Sequence, residues 1–542
     1  MIQGVIFDFD NTIYNYEICN NAGLECVFTY LNLKYLISVD LIKNEYNKIN
    51  NSIKNSNNYA NKFNKSIYFK QLVENLLIKF DELKIILDLY DNEFNSKIKV
   101  YDGIYELLIM LKKINIKISL LSNNLFLQQY AKILKLNILE YFDFIQTTEE
   151  IGYEKPSILP YLVLLNKMNI DKEKILMIGD NYDHDILPAL QLKMIPFLYA
   201  NDNSDVNIID KYFKFGSFIK LKKYLNDYFD SENELIFLSK YFGQSELNVQ
   251  GQGGNISVKS NNLLLIKSSG CILGNIEKDN GFCIVNNTKC NELLNTFNSK
   301  LYETKLFGYK NPSMETFFHC FMKKYTIHIH FTLSNIFLCK NNCEILKDLN
   351  VNYELINYYL PGLELAIKVM EKYNNNIELY FLKNHGLIIT TNNFENIFVL
   401  FKNVFNFFNK ILMNKYLFES YTFDINKLIY KKFNKSIICR IYQNINCNYI
   451  SNIKYCFPDL AVYIQNIKNI NEINEIDNFS VIPEIIIYKD NIYILAENLI
   501  KIQCIFETLN LYKEISNDYD NLEIICANKI QNMDEEKYRK NN

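Results

Sequence analysis

Three of the five histidines in the chain stand where they could grip one cation. His328 and His330 are alternate residues of YTIHIHF (325–331), an apolar, β-branched and aromatic run that reads as a buried strand. Alternate side chains on a strand share a face. His385 falls at a break, Asn384-His385-Gly386, between two strand-like runs. Two imidazoles from a strand and one from a turn fit an open zinc site, with a fourth position left for water or substrate. The plainer alternative is three core histidines that only hydrogen-bond. A second set is acidic. Asp8 and Asp10 flank one bulky residue at the end of the apolar strand 5–9. The C-terminal ends of strands are where open α/β sheets bind ligands. Two carboxylates this close repel each other unless a cation such as Mg²⁺ lies between them. A strand-end turn with solvated acids is the alternative.

Three further stretches bear on the acidic set. The strand 117–121 ends in Ser122-Asn123-Asn124, whose hydroxyl could donate to a phosphate oxygen. Lys155, just before Pro156, could neutralise phosphate charge and keep an aspartate ionised. The strand 175–178 runs into Gly179-Asp180-Asn181-Tyr182-Asp183-His184-Asp185, which brings more acids to the same sheet edge. Taken singly these are a helix cap, a surface lysine and a capping turn. Capping does not account for all of them in this order.

This order of motifs closely resembles the haloacid dehalogenase superfamily, in its phosphatase branch, over about residues 1–200. The resemblance implies a Rossmann-like core in which Asp8 is the nucleophile and forms an aspartyl-phosphate. It implies Asp10 as general acid and base. Thr12, Ser122, Asn123 and Lys155 would hold the phosphoryl group. Asp180 would bind Mg²⁺ together with Asp8 and the Asp10 main chain, supported by Asp185. Covalent catalysis of this kind splits one hard hydrolysis into two displacements. Dehalogenases of the same fold need neither the Asp10 acid nor the metal acids, so their presence favours the phosphatase. The intervening stretch, 14–100, has apolar residues three and four apart and reads as helices at 23–31, 68–77 and 80–89. In the family it corresponds to a cap that closes over the site.

Glycine is sparse, yet five of the sixteen fall within 251–274. GQGGNIS (251–257) reads as a backbone-exposing loop entering a strand, and KSSG (267–270) as a turn after the strand 263–266. Two such turns could cradle a phosphate, although hairpins use the same residues. In NPSMETFFH (311–319), Ser313 reads as the N-cap of a helix over 314–323, with Glu315 in its first turn. That short helix could deliver the carboxylate to the histidine strand. His319, one turn on, reads as a packed histidine or one that supports a ligand, and not as a ligand itself.

GGNIS, KSSG, PSMET, HIH and NHG in this order resemble the class II aldolase and adducin family over about residues 232–420, most closely its long rhamnulose-phosphate aldolase branch. The resemblance implies an α/β/α fold and Zn²⁺ on His328, His330 and His385. Glu315 would be the acid and base that exchanges the substrate proton. Asn255, Ser268, Ser269 and Ser313 would lie near the substrate phosphate. Met314 departs from the pattern, since many members carry a second serine there. The same chemistry serves aldolases, epimerases, dehydratases and decarboxylases, and adducin-like members are binding modules that lack the metal histidines.

The remaining features set bounds. At 542 residues and 49% apolar, the chain can build several full cores. A net charge of −3 points to neither nucleic acid nor an anionic membrane. Thirteen cysteines, without a CxxC pair, read as reduced thiols of a cytoplasmic protein. Charge rises near 222–234, which sets the expected domains at 1–228, 229–430 and an α/β extension at 431–542. The expectation is a bifunctional enzyme acting on small phosphorylated sugars, with Mg²⁺ in the first domain and Zn²⁺ in the second, and the aldolase resemblance implies a homo-oligomer, a tetramer through the second domain.

Overall fold

The computed structural model describes residues 2–55, 62–245, 247–339 and 343–412, and beyond these 425, 428–429, 432–433, 438–442, 466–488, 491–496, 501–502 and 505. The chain divides into two compact units, Met1–Tyr228 and Phe229–Asn542. Among the described residues no helix is long and apolar enough to cross a membrane.

The first unit is built on seven strands: β1 (Gly4–Phe7), β2 (Lys117–Ser122), β3 (Phe144–Thr147), β4 (Ile175–Gly179), β5 (Ile195–Tyr199), β6 (Asn207–Ile209) and β7 (Tyr212–Phe215), in the order β3-β2-β1-β4-β5-β7-β6. All pairings are parallel except β6 with β7. Val5, Ile6 and Phe7 are wholly buried, as in a parallel strand covered on both faces. β1 pairs with β2 on one side and β4 on the other, so the chain leaves β1 in one direction and returns on its other flank. The crevice at that switch point, outside the strands' C-terminal ends, is the ligand position of this architecture. Asp8 follows β1 and Asp180 follows β4, so sheet order alone makes them neighbours.

The stretch read as helical is helical: α1 (Tyr16–Tyr35), α2 (Val39–Asn55), α3 (Lys65–Asn75) and α4 (Glu82–Lys97). α1 starts where Asn15 accepts from the Ile18 amide and stops at Leu36 in the left-handed region. A run of rings holds the four together, with Phe28–Tyr46 centroids 5.6 Å apart, Tyr46–Phe69 6.0 Å, Phe69–Tyr90 5.3 Å and Tyr90–Phe94 5.9 Å.

The second unit holds β8 (Asn255–Ser260), β9 (Leu263–Lys267), β10 (Phe282–Asn286), β11 (Lys305–Gly308), β12 (Tyr325–Ile329), β13 (Tyr353–Ile356), β14 (Leu379–Leu382) and β15 (Gly386–Thr391), in the order β11-β10-β9-β8-β12-β15-β14-β13. One face packs Leu264, Ile266 and Ile388 against Phe317, Phe318, Leu365 and Val369. On the other side Phe331 meets Phe401, Phe405 and Phe408 of the helix Phe394–Ile411. Helices on both sides of a mixed sheet give the expected α/β/α layering.

Two local expectations shift. The histidine strand ends at Ile329, two residues earlier than the apolar run, because Phe331 caps the helix Thr332–Leu338. The helix expected over 314–323 spans only Thr316–Phe321. Met322 is extended and the Lys323 amide donates to Thr390 Oγ1 at 3.0 Å, so β12 draws the chain out of the helix. A third, smaller sheet comprises Ile438–Tyr442, Ile467–Asn469, Ile485–Tyr488 and Asn491–Ala496. The strand expected at 460–464 lies outside the described residues, as does most of the helix expected over 496–511.

Candidate active sites

In the first unit a lysine organises the carboxylates. Lys155 Nζ lies 2.6 Å from Asp8 Oδ1 and 2.6 Å from Asp185 Oδ1, and all three side chains are buried. Thr12 Oγ1 donates to Asp8 Oδ2 at 2.9 Å and to Asp180 Oδ1 at 3.2 Å. The Asn181 amide donates to Asp185 Oδ2 at 3.1 Å. One oxygen each from Asp8, Asp180 and Asp185 lies within 4.8 Å of the others. Burial pushes the Asp8 carboxyl up against the pull of Lys155, and Asp185 adds to the rise, leaving it at about 6. Burial and the neighbouring Asp8 likewise take Asp180 to about 6. Burial works against the Lys155 ammonium, but Asp185 and Asp8 outweigh it and hold its pKa well above the usual lysine range. One ammonium among two buried acids and a half-buried third leaves negative charge uncompensated. A small hard cation on carboxylate oxygens fits that deficit.

Asp10 is not part of this group. Its Oδ1 accepts from Lys132 at 2.9 Å and from the Tyr14 hydroxyl, and its Oδ2 accepts from Gln129 at 2.7 Å and Asn124 at 3.3 Å. Burial would raise its pKa, but Lys132, Tyr14 and Gln129 win and hold it below the ordinary value. Ser122 Oγ accepts from the same Gln129 Nε2 at 2.5 Å, which links Ser122 to Asp10. Asn123 forms a two-way clasp with Lys155: its Nδ2 donates to Lys155 O at 3.1 Å, and its Oδ1 accepts from the Lys155 amide at 2.8 Å. Asn123 therefore fixes the loop that carries the lysine. Gln129 and Lys132 escaped the sequence reading. They lie three residues apart on the helix α5 (Phe126–Lys135), and the one available signal was a buried polar pair on an otherwise apolar face.

In the second unit, Nε2 of His328 lies 3.4 Å from Glu315 Oε1, and Nε2 of His385 lies 3.5 Å from the same atom. Glu315, His328, His330 and His385 each place one donor atom within 4.8 Å of the others. The strand therefore ends early yet still delivers both imidazoles. His328 Nδ1 contacts Leu387 O at 3.2 Å, which leaves Nε2 to face the cluster. Nε2 of His328 and of His330 has no hydrogen-bond partner among the described residues. Burial and the adjacent His328 and His385 lower His330 to about 4, which keeps it neutral and able to coordinate. Three imidazoles and a carboxylate around one point fit a borderline divalent cation.

Two glycines make room for this cluster. A Cβ on Gly253 would lie 2.7 Å from His330 Nδ1, and one on Gly386 would lie 2.3 Å from Ile329 O. Asn384 takes a positive φ of 54° just before His385, which turns the imidazole inward. The expected phosphate residues are brought together in part. Ser268 bridges to Pro312 in β fashion and the Ser269 amide donates to Asn311 O at 2.9 Å, so the KSSG turn lies against the segment carrying Ser313. Asn255 pairs with His328 across β8 and β12, and its amide has no hydrogen-bond partner among the described residues. Lys267 Nζ donates to Gln252 O at 3.1 Å, tying the glycine loop to β9. His319 Nδ1 meets Ser257 Oγ at 2.7 Å and stays outside the cluster, packed as expected.

Two family models match the chain. Residues 5–196 match the haloacid dehalogenase-like hydrolases. Residues 233–407 match the class II aldolase and adducin N-terminal domain. A glyceraldehyde 3-phosphate phosphatase of Methanocaldococcus jannaschii is 31% identical over 198 residues, covering 36% of this chain and 83% of that protein. A ribulose-1,5-bisphosphate 5-phosphatase of Halopiger xanaduensis is 25% identical over 193 residues, covering 35% of this chain and 81% of that protein. The N-terminal class II aldolase domain of a Thermoplasma acidophilum protein aligns in structure at 24% identity and a TM-score of 0.30, covering 33% of this chain and 92% of that one.

Proposed function

The chain belongs to the haloacid dehalogenase-like hydrolases through its first unit and carries a class II aldolase and adducin domain in its second, and from that premise we propose a bifunctional enzyme. The first unit is a phosphatase for small phosphorylated sugars, in line with the activities of its relatives. The second is a metal-dependent lyase acting on a related compound.

The observation that carries the first reading is Lys155 bridging Asp8 and Asp185 beside Asp180. Asp8 attacks phosphorus through the oxygen not held by Thr12, the P–O bond to the sugar breaks as the aspartyl-phosphate forms, and water then attacks the phosphorus of this acyl phosphate, releasing phosphate and the free Asp8 carboxylate. Lys155 offsets charge on the transferring phosphoryl group and keeps Asp8 ionised. Asp8, Asp180 and Asp185 would hold Mg²⁺, which supplies further charge neutralisation at the phosphoryl oxygens. Asp10 is ionised by its four donors. To serve as acid it must first release Lys132 and take a proton from solvent; it gives that proton to the departing sugar oxygen and, ionised again, takes one from the water that attacks the aspartyl-phosphate. Ser122 and Thr12 complete the phosphoryl pocket. The test is hydrolysis of p-nitrophenyl phosphate by the full chain. Activity that requires Mg²⁺ and vanishes in Asp8→Asn supports the reading, and activity untouched by Asp8→Asn removes Asp8 from its role.

In the second unit His328, His330 and His385 would hold Zn²⁺, which polarises a substrate carbonyl. Glu315 touches two of the ligands, and His328 and His385 pull its carboxyl well below the ordinary range despite burial. An ionised carboxylate at this point would take the substrate proton. The side-chain amide of Asn255 and the hydroxyls of Ser268, Ser269 and Ser313 would receive an anionic end of the substrate, since the main-chain amides of Gly253, Ser268 and Ser269 already donate within the fold. Retention of all four donors supports an enzyme over an adducin-like binding module. Aldol cleavage is our reading of the reaction, with epimerisation, dehydration and decarboxylation as the alternatives that share this proton chemistry.

A further inference from the structure

The helical cap encloses a cavity of about 840 Å³, within the range of small-molecule pockets. Asp10 and Lys132 line it on the side of the catalytic crevice, and Lys54 and Lys65 line it among the cap helices. The lysines differ in what they pair with. Lys132 is matched by Asp10 at 2.9 Å, and Lys62 lies 3.6 Å from Glu154. Lys65 has only neutral company. Its Nζ donates to the Tyr46 hydroxyl at 2.9 Å and lies over the rings of Tyr46, Tyr68 and Tyr90, at 5.7, 5.0 and 5.8 Å from their centroids. No ion pair holds it among the described residues, and 56–61 contain no acid in sequence. Burial pushes its ammonium down to about 7, and the nearby charges of Lys54 and Lys132 push the same way. Besides Asp10, the one acid on the cavity wall is Asp91, which does not pair with it.

An ammonium held in a partly buried cage without a counter-ion is costly, and a carboxylate or phosphate arriving beside it would be bound by charge-assisted hydrogen bonds. We propose that the cap cavity seats a second anionic group of the phosphatase substrate, remote from the scissile phosphate, on Lys65 with Lys54 beside it. The substrate class is then a sugar bisphosphate or a phosphorylated sugar acid, and not a sugar monophosphate with a neutral far end. The inference rests on the phosphatase reading of the first unit.

Three six-carbon probes separate the possibilities: fructose 6-phosphate with a neutral far end, 6-phosphogluconate with a carboxylate and fructose 1,6-bisphosphate with a phosphate. The full chain is assayed on each with Mg²⁺, and p-nitrophenyl phosphate reports the phosphatase reading independently. The wild type is expected to favour one or both doubly anionic probes through a lower KM, and which one distinguishes carboxylate from phosphate. Lys65→Met should raise that KM roughly tenfold relative to fructose 6-phosphate, the loss of one charge-assisted hydrogen bond, and Lys65→Arg should restore much of it. Equal handling of all three probes by the wild type, or an equal change on all three in Lys65→Met, overturns the proposal while p-nitrophenyl phosphate hydrolysis leaves the phosphatase standing. If no ester is hydrolysed, the phosphatase reading fails. Calorimetric titration of 6-phosphogluconate and fructose 1,6-bisphosphate then decides the site. Weaker binding to Lys65→Met than to wild type keeps it, and equal or absent binding overturns it.

Discussion

Lys132 Nζ lies 2.9 Å from Asp10 Oδ1, two residues beyond the carboxylate that Lys155 holds. Two acids separated by a single phenylalanine thus have separate cations, and the sheet end and α5 keep them apart. In the proposed mechanism Asp8 is the nucleophile and Asp10 is reserved for proton transfer. Replacing Asp10 with Asn should slow hydrolysis of an alkyl phosphate by about 10²–10⁴-fold, the usual contribution of general acid–base catalysis. In the first step, transfer to Asp8 followed in a single turnover, it should slow p-nitrophenyl phosphate far less, because that leaving group departs without a proton, whereas loss of the base slows the shared second step alike. The ratio of the two single-turnover rates checks this, and an equal loss on both substrates in that step would deny Asp10 the acid role.

Lys155 also carries stability. Its ammonium is the shared partner of Asp8 and Asp185, all buried. Lys155→Met leaves two buried carboxylates facing each other, and breaking a buried pair from one side costs about 3–5 kcal/mol. The unfolding transition of the first unit in urea should move down accordingly. Added Mg²⁺ should recover part of the loss, since the cation takes over the missing positive charge.

His319 makes the second unit sensitive to acid. It is fully buried, and burial lowers its pKa from 6.5 to about 3. Between those values the unfolded chain binds a proton that the folded chain excludes, so stability rises with pH in this window and is lost as pH falls through it. By pH 5 the loss from this one group is ~2 kcal/mol. His319→Asn removes the titration, so its unfolding free energy should change less between pH 7 and pH 5 than that of the wild type. Equal changes in both proteins would contradict this.

Much of the candidate site was legible because its chemistry sits at strand ends. Asp8, Ser122 and Asp180 each close an apolar run, and the order of a parallel sheet brings such ends together whatever the loops do. The alternation of His328 and His330 carried the histidine cluster in the same way. What was not legible depends on approach between distant elements. Gln129 and Lys132 look like ordinary helix polars until α5 packs over Asp10. Asn123 reads as a phosphate ligand, and its clasp on the Lys155 main chain has no signal in the sequence. The helix over 314–323 looked longer because local propensity favoured it, while the pull of β12 through the Lys323–Thr390 bond shortened it. The cap cavity could not be read at all, since Lys65 and its three tyrosines come from three helices.

If one polypeptide assembles two separate cation sites of different chemistry, metal analysis of the purified full chain by mass spectrometry, paired with p-nitrophenyl phosphate hydrolysis, reads both. About one zinc per chain is expected, lost in the His328→Ala/His330→Ala double variant while Mg²⁺-dependent hydrolysis persists. Zinc retained by the double variant, or absent from the wild type after purification without chelator, would contradict it.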